Sequence, residues 1–368
     1  MTRAPIPAAE YGARRARVAE TLADTELAAV LVSDPADVRY LSGFRGDDTM
    51  LVIGRDIALI CTDSRYWEQV RAEVAGFELV EVRTADLIST AVAALADRSG
   101  HVALGYQGAH LTHADYMRLR RRHRGRLRDL RRRLSRLRVV KDAHEIALIR
   151  DAAAITDEAL RNVVAQGFGG RSEADVAWSL LTEFHRLGAE GEAFATIVAA
   201  GDHAAHAHAI PGRRVIAAGE LVLIDTGARL EGYCSDITRT FAVGPPAEPL
   251  RTLYATVLAA QQAGIAAVRD GAHGRDDVDS ACRAVIAAAG HGDHFGHGTG
   301  HGVGLEIHEA PALGMSRGDT LRAGMVCTVE PGIYVDGWAG VRIEDTVLVT
   351  PNGCERLTLF PKELQVVA

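Results

Sequence analysis

Leu221-Val222-Leu223-Ile224-Asp225-Thr226-Gly227, followed closely by Gly232-Tyr233-Cys234-Ser235-Asp236-Ile237-Thr238-Arg239-Thr240, decides how the second half of the chain is read. Four apolar residues end in a carboxylate, and a second strand-like run opens with another carboxylate eleven residues later. Gly227 and Gly232 punctuate the interval as turn residues. A hairpin across that turn brings Asp225 and Asp236 to one end of a sheet. Taken singly, each aspartate reads as a turn or capping residue.

Outward from the hairpin the pattern is α+β. Lys141 to Ala165 repeats apolar residues at three- and four-residue spacing and is closed by Gly167 to Gly170. Ser172 and Asp175 stand as N-cap and N3 of a second helix, a capping box with Asp in place of Glu or Gln. Ala195 to Ala199 reads as a strand, and the second arm of the hairpin runs from Cys234 to Val243. Helices are expected at Pro249 to Arg269 and Asp276 to Ala289, then strands at Met325 to Val329 and Val341 to Thr350. Helix pairs followed by strands in each half hint at an internal duplication.

The first third has a different texture. Ala28 to Val32, Met50 to Ile53 and Ile57 to Ile60 are strand-length apolar runs, and Arg65 to Ala75 has helical spacing. Asp34-Pro35 and Gly43 to Asp48 supply turns. This is an α/β domain without a visible catalytic cluster. From Arg118 to Arg138 there are twelve arginines and one acid, Asp129. Leucines at 119, 127, 130, 134 and 137 suggest that its later part is a helix with one buried stripe and an arginine-covered face. The run reads as a solvated connector able to bind polyanions at low salt. The domain boundary falls after it, giving residues 1–138 and 139–368.

Composition narrows the function classes. The chain has 368 residues, a formal net charge of −7 and 48% hydrophobic residues, which fits about two globular domains. An acidic balance disfavours a general nucleic-acid binder. Five cysteines without a C-x-x-C pair suggest neither a disulfide framework nor a thiolate zinc site, and a reducing, cytoplasmic setting fits. No window approaches about 18 uninterrupted apolar residues, so no membrane segment is expected.

Acids and histidines cluster where a bland core has no need of them. After Asp225 and Asp236 comes Gly296-His297-Gly298-Thr299-Gly300-His301-Gly302-Val303-Gly304-Leu305-Glu306-Ile307-His308-Glu309, whose glycines allow the backbone to approach a site closely. It neither follows an evident strand nor opens a βαβ unit, so a phosphate loop is a weak match. Thr328-Val329-Glu330-Pro331-Gly332-Ile333-Tyr334 and Val341-Arg342-Ile343-Glu344-Asp345-Thr346 place Glu330 and Glu344 in apolar, β-rich surroundings where an ionised carboxylate needs a partner. An arginine, Arg342, stands beside Glu344 only. His203, His206 and His208 precede the first aspartate, and any one of them alone reads as structural. Two Asp, two Glu and several His form an oxygen-dominated set that suits Mn²⁺, Co²⁺ or Zn²⁺. Bridging carboxylates favour two ions over one, and two divalent cations neutralise four carboxylates that otherwise repel one another.

At these residues the sequence resembles metallopeptidase family M24, in its aminopeptidase P and prolidase branch. The first domain resembles the creatinase-type N-terminal domain, of α/β class, and the region from about Lys141 onward resembles the α+β "pita-bread" catalytic fold. The five metal-ligand motifs of the family are present with their spacing. The resemblance implies Asp225, Asp236, His301, Glu330 and Glu344 as ligands, with Asp236 and Glu344 bridging. The fourteen-residue interval between Glu330 and Glu344 fits this branch. His208 and His308 match histidines that contact the substrate around its scissile carbonyl, and His297 matches one lining the proline side. Arg342 and Tyr334 match positions that orient the carboxylate ligands. Ala207 replaces the proline that usually precedes the equivalent of His208.

The mechanism so implied is hydrolysis by a metal-bridging hydroxide, with Glu330 as proton carrier and His308 bonded to the carbonyl oxygen. The implied substrate is a peptide with proline second, its free α-amine bound to the metal held by Asp225. In some prolidases an arginine four residues after the equivalent of His308 holds the proline carboxylate, and here that position is Ala312. This favours an Xaa-Pro aminopeptidase over a strict Xaa-Pro dipeptidase, with Arg317 or a partner chain's arginine as other sources of a cation. A catalytically inactive binding protein on the same fold is the alternative of another class, and the complete ligand set speaks against it and against a creatinase. Mn²⁺, a homodimer and the absence of specific nucleic-acid or membrane partners complete the expectations.

Overall fold

The structure, a computed structural model, describes residues 6–23, 25–84 and 86–368. The chain divides into two compact units, Met1–Arg138 and Val139–Ala368. In the first, α1 (Ala8–Ala23) buries Arg14, Val18 and Leu22 at four-residue spacing. β1 (Ala29–Val32) is buried along its whole length and leads through Asp34, whose carboxylate caps the Ala36 amide at 2.9 Å, into α2 (Pro35–Ser42). Then follow β2 (Thr49–Gly54), β3 (Ala58–Asp63), α3 (Trp67–Glu73), β4 (Glu78–Val82), α4 (Leu87–Ser99), β5 (Leu104–Tyr106), α5 (His113–Arg122) and β6 (Leu127–Asp129). They form one six-stranded mixed sheet in the order β4-β3-β2-β1-β5-β6.

The arginine run departs from the helix and connector expected of it. Helix α5 stops at Arg122, because His123 turns extended, and Gly125 has no room for a Cβ beneath the Val102 carbonyl. The chain then adds β6 in parallel to the open edge of β5 and closes in a 3-10 turn, Ser135–Arg138. The unpaired backbone of that edge overrides the helical leucine spacing. Leu119, Leu130 and Leu134 are buried, while arginines coat the new edge and blunt it against further pairing. Arg138 itself is buried, with Nε donating to Asp37 at 2.7 Å.

The second unit opens with α6 (Ala143–Val164) and α7 (Glu173–Arg186), each started by a complete capping box, Asp142/Glu145 and Ser172/Asp175. Next come β7 (Gly191–Glu192), β8 (Ile197–Ala200), β9 (Leu221–Thr226), β10 (Ala228–Leu230), β11 (Tyr233–Cys234) and β12 (Ile237–Val243). After α8 (Glu248–Ala267), a π-helical turn at Gly274–Asp279 feeds α9 (Ser280–Ala288). The remainder is β13 (Gly300–Gly302), β14 (Glu309–Gly314), β15 (Arg317–Gly318), β16 (Val326–Val329), β17 (Gly332–Val335), β18 (Ala339–Arg342), β19 (Asp345–Thr350), β20 (Gly353–Arg356) and β21 (Val366–Val367). One core joins α6 and α7 to β8, β9 and β12, and another joins α8 and α9 to β14, β16 and β19. Among the described residues no helix is long and apolar enough to cross a membrane.

Two strands expected as continuous are interrupted, and each break falls on a carboxylate. Ser235 and Asp236 separate β11 from β12, and Ile343 and Glu344 separate β18 from β19. The freed backbone is paired across the two breaks: the Glu344 amide donates to Thr238 O at 3.1 Å, and the Thr346 hydroxyl donates to Asp236 O at 2.7 Å. Beneath them, fully buried Arg239 donates to the carbonyls of Thr238, Glu344, Phe360 and Pro361 and to Asp345 Oδ1 at 2.7 Å. Burial pushes the Asp345 pKa upward, but Arg239 and Lys362 outweigh it and hold that carboxyl below its ordinary value. Arg239→Met removes five bonds and strips Asp345 of its main counter-charge. The variant is expected to lose about 3–5 kcal/mol in urea unfolding, and a change under about 1 kcal/mol would show that this network does not support the unit.

Candidate metal centre

The antiparallel register of β9 and β12, with Thr226 opposite Ile237 and Asp225 opposite Thr238, sets the two aspartates at the same end of the hairpin. Glu344 reaches them from the break before β19. One carboxylate oxygen from each of Asp225, Asp236 and Glu344 lies within 4.8 Å of the others. His301, on β13, places Nε2 3.6 Å from Asp236 Oδ2 and 3.3 Å from Glu330 Oε1. Thus the structure brings together all five residues singled out as candidate ligands. Gly300 and Gly302 make this approach possible, since a Cβ at either would collide with the carbonyl of Thr328 or Ala310.

Hydrogen bonding leaves this group one-sided. Arg342 Nη2 donates to Asp225 Oδ2 at 2.5 Å, and the Thr238 hydroxyl donates to Glu344 Oε2 at 2.7 Å. Asp225 Oδ1 and Glu344 Oε1 are buried without any hydrogen-bond partner. A buried carboxylate oxygen left bare is costly, and two in one cluster call for a cation. His301 meets the same need. Its Nδ1 faces Gly302 O at 3.1 Å, so the proton sits there and the Nε2 lone pair points at Asp236 and Glu330. Burial and the mutual repulsion of these acids push the carboxyls of Asp236 and Glu344 well above their ordinary values. Burial likewise lowers the pKa of His301, keeping the imidazole neutral. An oxygen-rich set with one neutral imidazole fits divalent ions of the Mn²⁺, Co²⁺ or Zn²⁺ type.

Arg342 does not serve Glu344 directly, as its place in the sequence had suggested. It reaches Asp225 directly and Glu344 through Thr238, whose hydroxyl accepts from Arg342 Nε at 3.0 Å. Thr328 likewise donates to Glu330 Oε1 at 3.3 Å and accepts from the His301 amide at 3.0 Å. Neither threonine was singled out from the sequence. The signal is nevertheless there, because Thr238 and Thr328 each stand two residues from a carboxylate, the spacing that puts side chains on one face of a strand.

The remaining histidines divide by what they touch. His308 packs edge-on against His301, with ring centroids 4.3 Å apart. Burial, then the His301 and His208 rings, lower its pKa and keep it neutral. The loop bearing His208 is tied to the site by Arg342 Nη1, which donates to Ala207 O at 3.2 Å. His203 turns away to buried Glu173, at 2.9 Å, and meets the His206 ring edge to face. His297 is committed at both nitrogens: Nδ1 donates to Gly298 O at 2.8 Å, and Nε2 accepts from the Tyr334 hydroxyl at 2.9 Å. That hydroxyl accepts in turn from Arg342 Nη1 at 2.7 Å. His297 therefore offers the site its ring surface and no free polar atom. Ala312 lies opposite His301 in the β13–β14 register while Leu313 enters the core, so its methyl faces the same side as His301.

Comparison with known proteins agrees with this architecture. The model of metallopeptidase family M24 matches residues 147–351, and that of the creatinase/prolidase N-terminal domain matches residues 14–140. An Xaa-Pro dipeptidase of Pyrococcus furiosus is 43% identical over 62% of this chain and 65% of its own length. The structure of an Xaa-Pro dipeptidase from Bacillus anthracis superposes with a TM-score of 0.91 at 35% identity, covering 98% of this chain and all of that one. An X-Pro aminopeptidase from Thermotoga maritima gives a TM-score of 0.88 at 34% identity, covering 96% of this chain and all of that one. With a creatinase-type N-terminal domain, a pita-bread catalytic unit and a family match across more than half its length, the chain belongs to metallopeptidase family M24.

Proposed function

We propose that the protein is a metal-dependent Xaa-Pro dipeptidase, hydrolysing the bond between a first residue and a following proline. The observation that carries this reading is the convergence of Asp225, Asp236 and Glu344 with two bare buried oxygens, beside a histidine whose lone pair faces them. Asp225, Asp236, His301, Glu330 and Glu344 would hold two divalent ions. When bound, such ions supply Lewis acidity and a water acidified toward neutral pH.

The chain's own residues do the rest. The nitrogen of an Xaa-Pro bond carries no hydrogen, and like any amide nitrogen it must gain a proton to leave, here as a secondary amine. Glu330, with Oε1 between the Thr328 hydroxyl and His301, is the group to take a proton from the attacking water and deliver it there. His308, neutral and held by ring contact with His301, would donate an N–H to the carbonyl oxygen as negative charge grows on it. Arg342 and Thr238 hold Asp225 and Glu344 in one orientation through the reaction. The His297 ring, with both nitrogens committed, offers the proline an apolar edge.

Ala312 favours a second reading. A dipeptide ends in a carboxylate immediately after the scissile bond, and the methyl opposite His301 supplies no cation for it. An Xaa-Pro aminopeptidase, which takes longer peptides, has no such need. The likeness to proteins named Xaa-Pro dipeptidase in both sequence and structure, those of P. furiosus and B. anthracis, outweighs this single position.

With Mn²⁺ present, mass spectrometry is expected to find products from an Xaa-Pro dipeptide and none from the matched Xaa-Pro-Xaa tripeptide or in a chelated control. First-residue release from the tripeptide alone would establish the aminopeptidase reading. Glu330→Gln is expected to lower turnover by about 10²–10⁴-fold, and near-normal activity would remove its role as proton carrier. Thr238→Val is expected to weaken Mn²⁺ binding by about 10–100-fold in calorimetry, while unchanged affinity would show that its bond to Glu344 does not orient a ligand.

A further inference from the structure

The loop before β13 is held almost entirely from outside itself. Residues 290–300 include five glycines, and Phe295–Thr299 has neither helix nor strand. Such a segment loses much conformational freedom on ordering and needs ties to stay in place. It also carries His297 and delivers the Thr299 carbonyl to the Glu330 amide at 2.7 Å.

The ties come from two residues that the mechanism above does not use. Asp279 ends the π-helical turn before α9 and is 2% exposed. Its Oδ1 accepts from the Thr299 amide at 3.1 Å and from the Thr299 hydroxyl at 2.7 Å. Its Oδ2 accepts from Arg283 Nε at 2.7 Å. Arg283 then donates Nη1 to Phe295 O at 2.8 Å and Nη2 to His297 O, with its guanidinium 4.1 Å above the Phe295 ring. An i,i+4 pair serving only helix stability would point to solvent. This one spends one buried carboxylate oxygen on the Thr299 amide and hydroxyl and two guanidinium nitrogens on the Phe295 and His297 carbonyls, while the other oxygen joins the pair itself. The π-turn makes the placement possible, because Gly274 lets it sit against the Ala312 carbonyl of β14, where a Cβ would stand 2.6 Å from that oxygen.

We infer that Asp279 and Arg283 are positioning residues for the proline side of the substrate pocket. They fix Phe295–Thr299 and, through it, the His297 ring. The inference rests on the reading of His297 as a pocket wall. Loosening the clamp is therefore expected to weaken substrate binding more than turnover, since the ligands and Glu330 keep their own side-chain partners.

The test compares wild type, Arg283→Met, Arg283→Lys and Asp279→Asn as Mn²⁺-loaded full chains. Asp279→Asn keeps the shape but turns an amide N–H toward Arg283, and it decides the question should Arg283→Met fail to fold. Hydrogen exchange followed by mass spectrometry is expected to show about tenfold faster exchange across 295–299, with the rest of the catalytic unit unchanged. With a dipeptide substrate, KM is expected to rise about tenfold while kcat stays within about threefold, and Arg283→Lys to fall between. Unchanged exchange at 295–299, or a loss confined to kcat that follows the folded fraction, would overturn the clamp. Should the wild type cleave no Xaa-Pro substrate, the functional reading fails while the exchange data still decide the clamp.

Discussion

The mutual repulsion of buried carboxylates is the constraint on which the rest of the catalytic unit depends. Asp225, Asp236 and Glu344 bring oxygens within 4.8 Å of one another where burial weakens screening by water, and Glu330 adds a fourth charge nearby. Left alone, such a group takes up protons or flies apart. The fold answers with rigid placement and incomplete neutralisation. Arg342 and Thr238 each satisfy one oxygen and leave another bare, so the remaining attraction is reserved for a cation.

Placement comes from devices that keep strongly polar groups away from solvent. Breaks in two strands release Asp236 and Glu344 from the ladder, and hydrogen bonds between the breaks replace what is lost. Arg239 underlies both, joining the Glu344 carbonyl to the segment at Phe360 and Pro361 and to the ion pair with Asp345. Another buried pair, Lys141 with Glu309, stands next in sequence to His308. Removing one partner of such a pair is far more damaging than the pair is stabilising, which ties the catalytic geometry to an intact fold.

Local signals made part of this legible beforehand. Both capping boxes, the apolar strand ending at Asp225 and the acid–histidine inventory depend on neighbours within a few residues, and the sequence displays those directly. The resemblance to a known family then linked the five ligands across the chain. Long-range choices were hidden. Nothing near Arg118–Arg138 reveals that β5 has an open edge waiting for β6, so the leucine spacing there suggested a helix. Arg342 was read against its neighbour Glu344 because its actual partner, Asp225, lies 117 residues away. The committed nitrogens of His297 depend on Tyr334, which only the folded sheet brings alongside.

The most direct measurement is the metal content of chelator-stripped protein after equilibration with excess Mn²⁺ and desalting, compared with an Asp236→Asn/Glu344→Gln variant. Electrostatic balance in the cluster predicts about two ions per wild-type chain and none retained by the variant. A folded wild type that retains no metal, or a variant that retains as much, would contradict the claim that this carboxylate cluster exists to hold cations.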